Sequence, residues 1–179
     1  FVKDVVRQCG EKGVKGLVVI SAGFSEVGPE GKKRETEVLE IVHEFGMRMI
    51  GPNCFGVVNT NPEVSLNATF GKTYPKPGRV GFITQSGAMG EAIMNHANEL
   101  GIGFSYVASI GNKADISSND ILAYLKDDPD TDIILMYSLM RKRSGVFKTA
   151  EVSEDSFFDA NTWQALAEAS PSYIREILV

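Results

Sequence analysis

Apolar side chains recur at helical spacing over residues 2–11. Once Gly13 has broken the pattern, the continuous run Gly16-Leu17-Val18-Val19-Ile20-Ser21 follows. That predicts a helix followed by a buried parallel strand, because a strand covered on both faces is apolar without alternation. A glycine-rich turn fills 21–31. Helical spacing then returns over 32–45, with Val38, Leu39, Val42 and Phe45 on one face and charges opposite. Gly46 stands at the carboxyl-terminal cap. Arg48-Met49-Ile50 reads as the next strand, and Gly51-Pro52-Asn53-Cys54-Phe55-Gly56 as the turn that ends it. Residues 1–74 thus predict the last part of a βαβ wound domain.

Between 57 and 78 the signal weakens to short β-like runs such as Val64-Ser65-Leu66, and Tyr74-Pro75-Lys76-Pro77-Gly78 predicts a linker or domain boundary. Alternation restarts over 79–137, with strands at 80–84, 104–108 and 133–137 and helices at 87–100 and 118–126. The expectation is a second α/β domain with every strand parallel. Residues 138–179 hold no strand of comparable quality and predict a helical tail, with helices near 159–169 and 171–178, the second opened by Pro171.

Composition narrows the partners. Of 179 residues, 43% are hydrophobic and 23% charged, as in a water-soluble globular protein. A net charge of -5 argues against a nucleic-acid backbone, which demands clustered Lys and Arg. No apolar stretch reaches the ~20 residues that span a bilayer, so no membrane partner is expected and the expected location is the cytosol. Cys9 and Cys54 suggest reduced thiols rather than a disulfide framework, and His43 and His96 lack neighbours at metal-ligand spacing.

The candidate chemistry lies in loops that follow strands. In 81–91, small residues leave a strand and open a helix. Amides at such a helix start are unpaired and electropositive, Ser86 adds a hydroxyl, and Gly87 lets an anion approach, with Ala88 next in line. The alternative is that Ser86 only caps the helix and Gly87 only permits the turn. No Walker loop is present, since no Gly-Lys-Ser/Thr follows. Ser21-Ala22-Gly23-Phe24 and Pro52-Asn53-Cys54 lie on further strand ends, where wound sheets bind ligands. A fourth loop gathers Asn112, Lys113 and Asp115, which either meet a substrate or pair with each other in solvent.

Three stretches carry a resemblance in register: Ile50-Gly51-Pro52-Asn53-Cys54-Phe55-Gly56-Val57, the segment 78–90 with Gln85-Ser86-Gly87-Ala88-Met89-Gly90, and Gly111-Asn112-Lys113-Ala114-Asp115. Over 14–137 the chain resembles the α-type half of the NDP-forming acyl-CoA synthetases, the group that includes succinyl-CoA synthetase and ADP-forming acetyl-CoA synthetase. The resemblance implies the carboxyl-terminal part of a Rossmann-like CoA-binding domain (1–74), then a flavodoxin-like parallel α/β domain (79–137), with 138–179 unassigned. It implies a ligase that interconverts acyl-CoA and carboxylic acid through acyl phosphate and a phosphohistidine. Its ligands would be CoA, phosphate, and ADP/ATP or GDP/GTP with Mg, the nucleotide and metal coming through an ATP-grasp domain or β subunit. Ser21, Ala22, Gly23 and Phe24 would lie beside CoA, Asn53 with Pro52 and Cys54 would meet the acyl group near the thiol, and Ser86, Gly87 and Ala88 would hold the phosphoryl group.

Departures shape the expectation further. The family's first CoA loop would fall upstream of Phe1, and Ser138-Leu139-Met140 stands where the family carries a glutamate. The phosphohistidine segment is absent, and neither His43 nor His96 takes its place. The chain is therefore expected to be inactive alone. Two alternatives remain open: a non-catalytic CoA-binding regulatory module of the kind fused to protein acetyltransferases, and a piece that completes its sheet with another copy as a homo-oligomer.

Overall fold

The structure, a computed structural model, describes residues 1–137. Its elements in chain order begin with α1 (Val2–Glu11), β1 (Gly16–Val18), a 3-10 turn (Ser25–Val27), α2 (Pro29–Glu44) and β2 (Arg48–Ile50). They continue with β3 (Gly56–Asn59), β4 (Leu66–Thr69), β5 (Pro77–Thr84), α3 (Gly87–Glu99), β6 (Phe104–Ser109), α4 (Ser118–Lys126) and β7 (Ile133–Tyr137). The helices expected near 159–169 and 171–178 lie outside the described residues.

The strands β1 and β2 pair in parallel, with Leu17 opposite Met49. The helices α1 and α2 contribute Val6, Val38, Ile41 and Val42 to the core beside these strands, together with Phe24, Met47 and Met49. Full burial of such a side chain stabilises by about 1.5–3 kcal/mol, so these residues set which faces of α1 and α2 turn inward. The helix α2 starts at Pro29 rather than 32, because proline's missing N–H and fixed φ suit a first helical position. Gly46 ends it at φ 63, as its place in the sequence predicts.

The second sheet runs in the order β4-β3-β6-β5-β7. Here β5, β6 and β7 are parallel, as expected, but β3 lies antiparallel to both β6 and β4. The sheet is therefore mixed, which corrects the all-parallel expectation. The handedness rule governs strands joined by a crossover within one sheet, whereas β3 arrives from another sheet through a short turn and returns as a hairpin. Val64 and Ser65, read as β-like, belong to that hairpin's turn, where both amides bond to Asn61 O. The mixed sheet thus draws on 56–69, residues that precede the Pro-rich stretch, and the described residues all fall within one compact unit. Pro77 opens β5, an allowed place for a residue without an N–H. Among the described residues no helix is long and apolar enough to cross a membrane.

Candidate ligand site

The turn between β2 and β3 is the hub. It bonds to the loop after β1 through Asn53 N–H to Ser21 O (2.9 Å), and to the loop after β6 through Asn112 N–H to Pro52 O (2.9 Å) and Ala114 N–H to Gly51 O (3.1 Å). The Phe55 amide donates to Ser109 Oγ at 3.0 Å. A Cβ on Gly111 would lie 2.3 Å from Pro52 O, and Gly111 holds φ +53, so both the contact and the backbone demand glycine there. The start of α3 abuts the same turn, since a Cβ on Gly87 would lie 3.1 Å from Phe55 Cβ. All four loops singled out in the sequence thus meet.

Ser86 caps α3 by accepting from the Met89 amide at 3.4 Å, while its own amide is taken by Thr84 Oγ1 at 3.1 Å. Among the described residues nothing accepts from the amides of Gly87 and Ala88, and Ala88 is exposed. Two donors at the positive end of a 13-residue helix can take an anion. Gly87 packs against Phe55, and its amide stays free among the described residues.

The other named residues divide. Ser21 and Ala22 are exposed. Phe24 is 4% exposed in the first core, so its ring packs rather than meeting a ligand. Cys54 is likewise a core group: its Sγ lies 3.4 Å from Val19 O, and burial pushes the thiol up to about 11. Asp115 does not pair with Lys113. It clasps Arg48 Nε at 3.0 Å and the Met49 amide at 2.7 Å, tying the loop to β2. Lys113, at φ 56 and half-buried, makes no side-chain hydrogen bond among the described residues, which leaves a cation at the rim. Pro52 is buried and Asn53, at φ 54, is half-buried.

Glu26 and Glu35 escaped the sequence reading. Glu26 Oε1 accepts from the amides of Gly23 and Phe24, so those two donors are spent inside the loop. Burial opposes its ionisation, but hydrogen bonds from Asn112 and from these amides outweigh it and hold Glu26 down at about 2. Glu35 is 2% exposed, and burial again works against charge. Bonds from Lys32 (2.7 Å), Ser25 (2.6 Å) and Asn112 (3.0 Å) prevail and lower its pKa. Arg34 donates to Gly23 O at 2.7 Å and braces the same loop. The sequence did carry a signal for Glu35: it falls at helical spacing with Gly31, Val38 and Val42, on the buried stripe of α2.

The chain is similar to proteins already known. Residues 77–152 match the succinyl-CoA ligase like flavodoxin domain. An ADP-forming acetate–CoA ligase of Methanocaldococcus jannaschii is 52% identical over 136 residues, 76% of this chain and 19% of that protein. Over three quarters of its own length the chain is similar to ADP-forming acyl-CoA ligases, and it corresponds to a part of theirs. The α subunit of ADP-forming acetate–CoA ligase II from Pyrococcus furiosus is 50% identical over 76% of this chain and 29% of its own length. A dinucleotide forming acetyl-coenzyme A synthetase from Ca. Korarchaeum cryptofilum, solved in complex with phosphate and ADP, superimposes with a TM-score of 0.73. Identity there is 41%, over 80% of this chain and 30% of that one. The chain thus spans between 19% and 30% of the length of these relatives.

Proposed function

We propose that this chain supplies the CoA- and phosphate-facing loops of an acid–CoA ligase that converts acyl-CoA, phosphate and NDP into carboxylic acid, CoA and NTP, reversibly. The observation that carries the reading is the pair of amides of Gly87 and Ala88, unpaired among the described residues and set against the turn that carries Asn53. In this reading the two amides, the Ser86 hydroxyl and the Lys113 ammonium hold the phosphate, and Ser21, Ala22 and Asn53 border the CoA thiol end. CoA supplies the thioester; phosphate attacks its carbonyl carbon, the C–S bond breaks, and the thiolate leaves with the electron pair. Donors fixed in place before reaction favour the charge that develops on the phosphoryl and carbonyl oxygens.

In this reading the later transfer of the phosphoryl group to a histidine and on to NDP is carried out by residues other than those described. Mg enters this reading with the nucleotide on an ATP-grasp partner. The cytosol is the proposed location.

Inorganic phosphate followed by 31P NMR tests the reading. Ser86 sits at φ -102, ψ 119, a conformation that tolerates a following proline, so Gly87→Pro removes one donor while keeping a helical first position. The phosphate signal is expected to broaden with the unaltered chain and much less with Gly87→Pro. Equal broadening by both would overturn the reading.

A further inference from the structure

Asn112 stands between two carboxylates and a second amide. Its Nδ2 donates to Glu26 Oε2 at 2.6 Å and to Glu35 Oε2 at 3.0 Å, and its Oδ1 accepts from Asn53 Nδ2 at 3.3 Å. Among the described residues the other partners of both glutamates are donors as well: the Gly23 and Phe24 amides for Glu26, and Ser25 and Lys32 for Glu35. Each glutamate is thus an acceptor at every contact, as an ionised carboxylate must be. A carboxylate pair leaves an asparagine one choice of orientation. Asn112 has to turn its NH2 toward the glutamates and its carbonyl toward Asn53, which must then answer with its own NH2.

We propose that Glu26 and Glu35, acting through Asn112, fix the orientation of the Asn53 amide so that its Oδ1 is presented to the ligand as a hydrogen-bond acceptor. Among the described residues that oxygen has no partner, and Asn53 is only half-buried. An acceptor held there favours a donor, such as a thiol S–H or an amide N–H of the pantetheine arm, over an acyl carboxylate oxygen, which the family resemblance alone would place beside it. Asn112, Glu26 and Glu35 are positioning residues, and the ligand step rests on the functional reading above.

The test uses the whole 15N-labelled chain and follows the side-chain NH2 resonances of Asn53. Neither glutamate hydrogen-bonds to Asn53, so a Glu26→Ala, Glu35→Met double variant should leave the Asn53–Asn112 bond and those resonances in place unless orientation is relayed. The expected result is that they shift in the double variant and in Asn112→Ala, with a loss of CoA affinity in both. Asn112→Ala serves alone if the double variant does not fold. CoA should also bind the unaltered chain more tightly than desulfo-CoA if the thiol is the donor; equal binding with a shifted Asn53 signal assigns the donor to the pantetheine amide. Unmoved Asn53 resonances, in a chain that does bind CoA, would overturn the relay. Failure of the unaltered chain to bind CoA would instead overturn the functional reading, and the Asn53 resonances would still decide the relay.

Discussion

Replacing Gly111 with alanine adds one methyl group where two loops touch. At φ +53 any L residue loses about 1–2 kcal/mol relative to glycine. The new Cβ would also lie 2.3 Å from Pro52 O and 2.4 Å from Asn53 O, against ordinary contact at about 3.5–4.0 Å. Both oxygens belong to backbone held by hydrogen bonds, so neither can swing away as a side chain would. Overpacking of this kind costs about 1–3 kcal/mol, and the sum is about 2–5 kcal/mol. Gly101 is the internal control: its φ is +75 and nothing lies within 4 Å of its Cβ position, so Gly101→Ala should lose only the backbone share, about 1–2 kcal/mol. Urea denaturation of the three chains measures the difference. Equal destabilisation by both substitutions would mean that the loop after β6 does not press on the Pro52–Asn53 turn, and the convergence of loops would fail with it.

Three further outcomes follow from named contacts. Asp115→Ala leaves the Met49 amide without its acceptor and Arg48 with Asp120 alone, and should destabilise the chain by about 2 kcal/mol in the same assay; an unchanged midpoint would show that the clasp is ornamental. Cys54, buried with its thiol pushed up to about 11, should resist alkylation at pH 8 in the folded chain and react on unfolding, and rapid native labelling located there by mass spectrometry would contradict its place in the core. Glu26 has its pKa lowered from 4.5 to about 2, so its contribution is complete above the higher value and is lost as pH falls through the lower one. The fall in stability between those values should be shallower in Glu26→Gln, and identical pH profiles for the two chains would refute it.

Much of the architecture was legible because it rests on local signals. Gly46, the cap at Ser86, and the apolar runs of β1 and β7 each announce a boundary or an element without help from the rest of the chain. The hairpin was not legible. Its outer strand reads Leu66-Asn67-Ala68-Thr69, with no apolar run, because it sits at a sheet edge and is half in solvent. At the site, the four loops were visible as glycine-rich strand ends, but their division of labour was not. Cys54 and Phe24 look like ligand groups from their neighbours in sequence, and only packing reveals them as core. Asp115 is aimed at Arg48, 67 residues away along the chain, a distance over which spacing says nothing. Glu35 was the missed clue, a charge on a buried helix face, whose partner Asn112 lies 77 residues on.

The central claim is that these loops form one surface for phosphate and the CoA thiol end. Backbone amide resonances of the 15N-labelled chain, titrated separately with inorganic phosphate and with CoA, test it most directly. Phosphate is expected to move Gly87 and Ala88 first, and CoA to move Ser21, Ala22 and Asn53, while the α1 and β4 signals stay in place. Shifts confined to other parts of the chain, or none with either ligand, would contradict it.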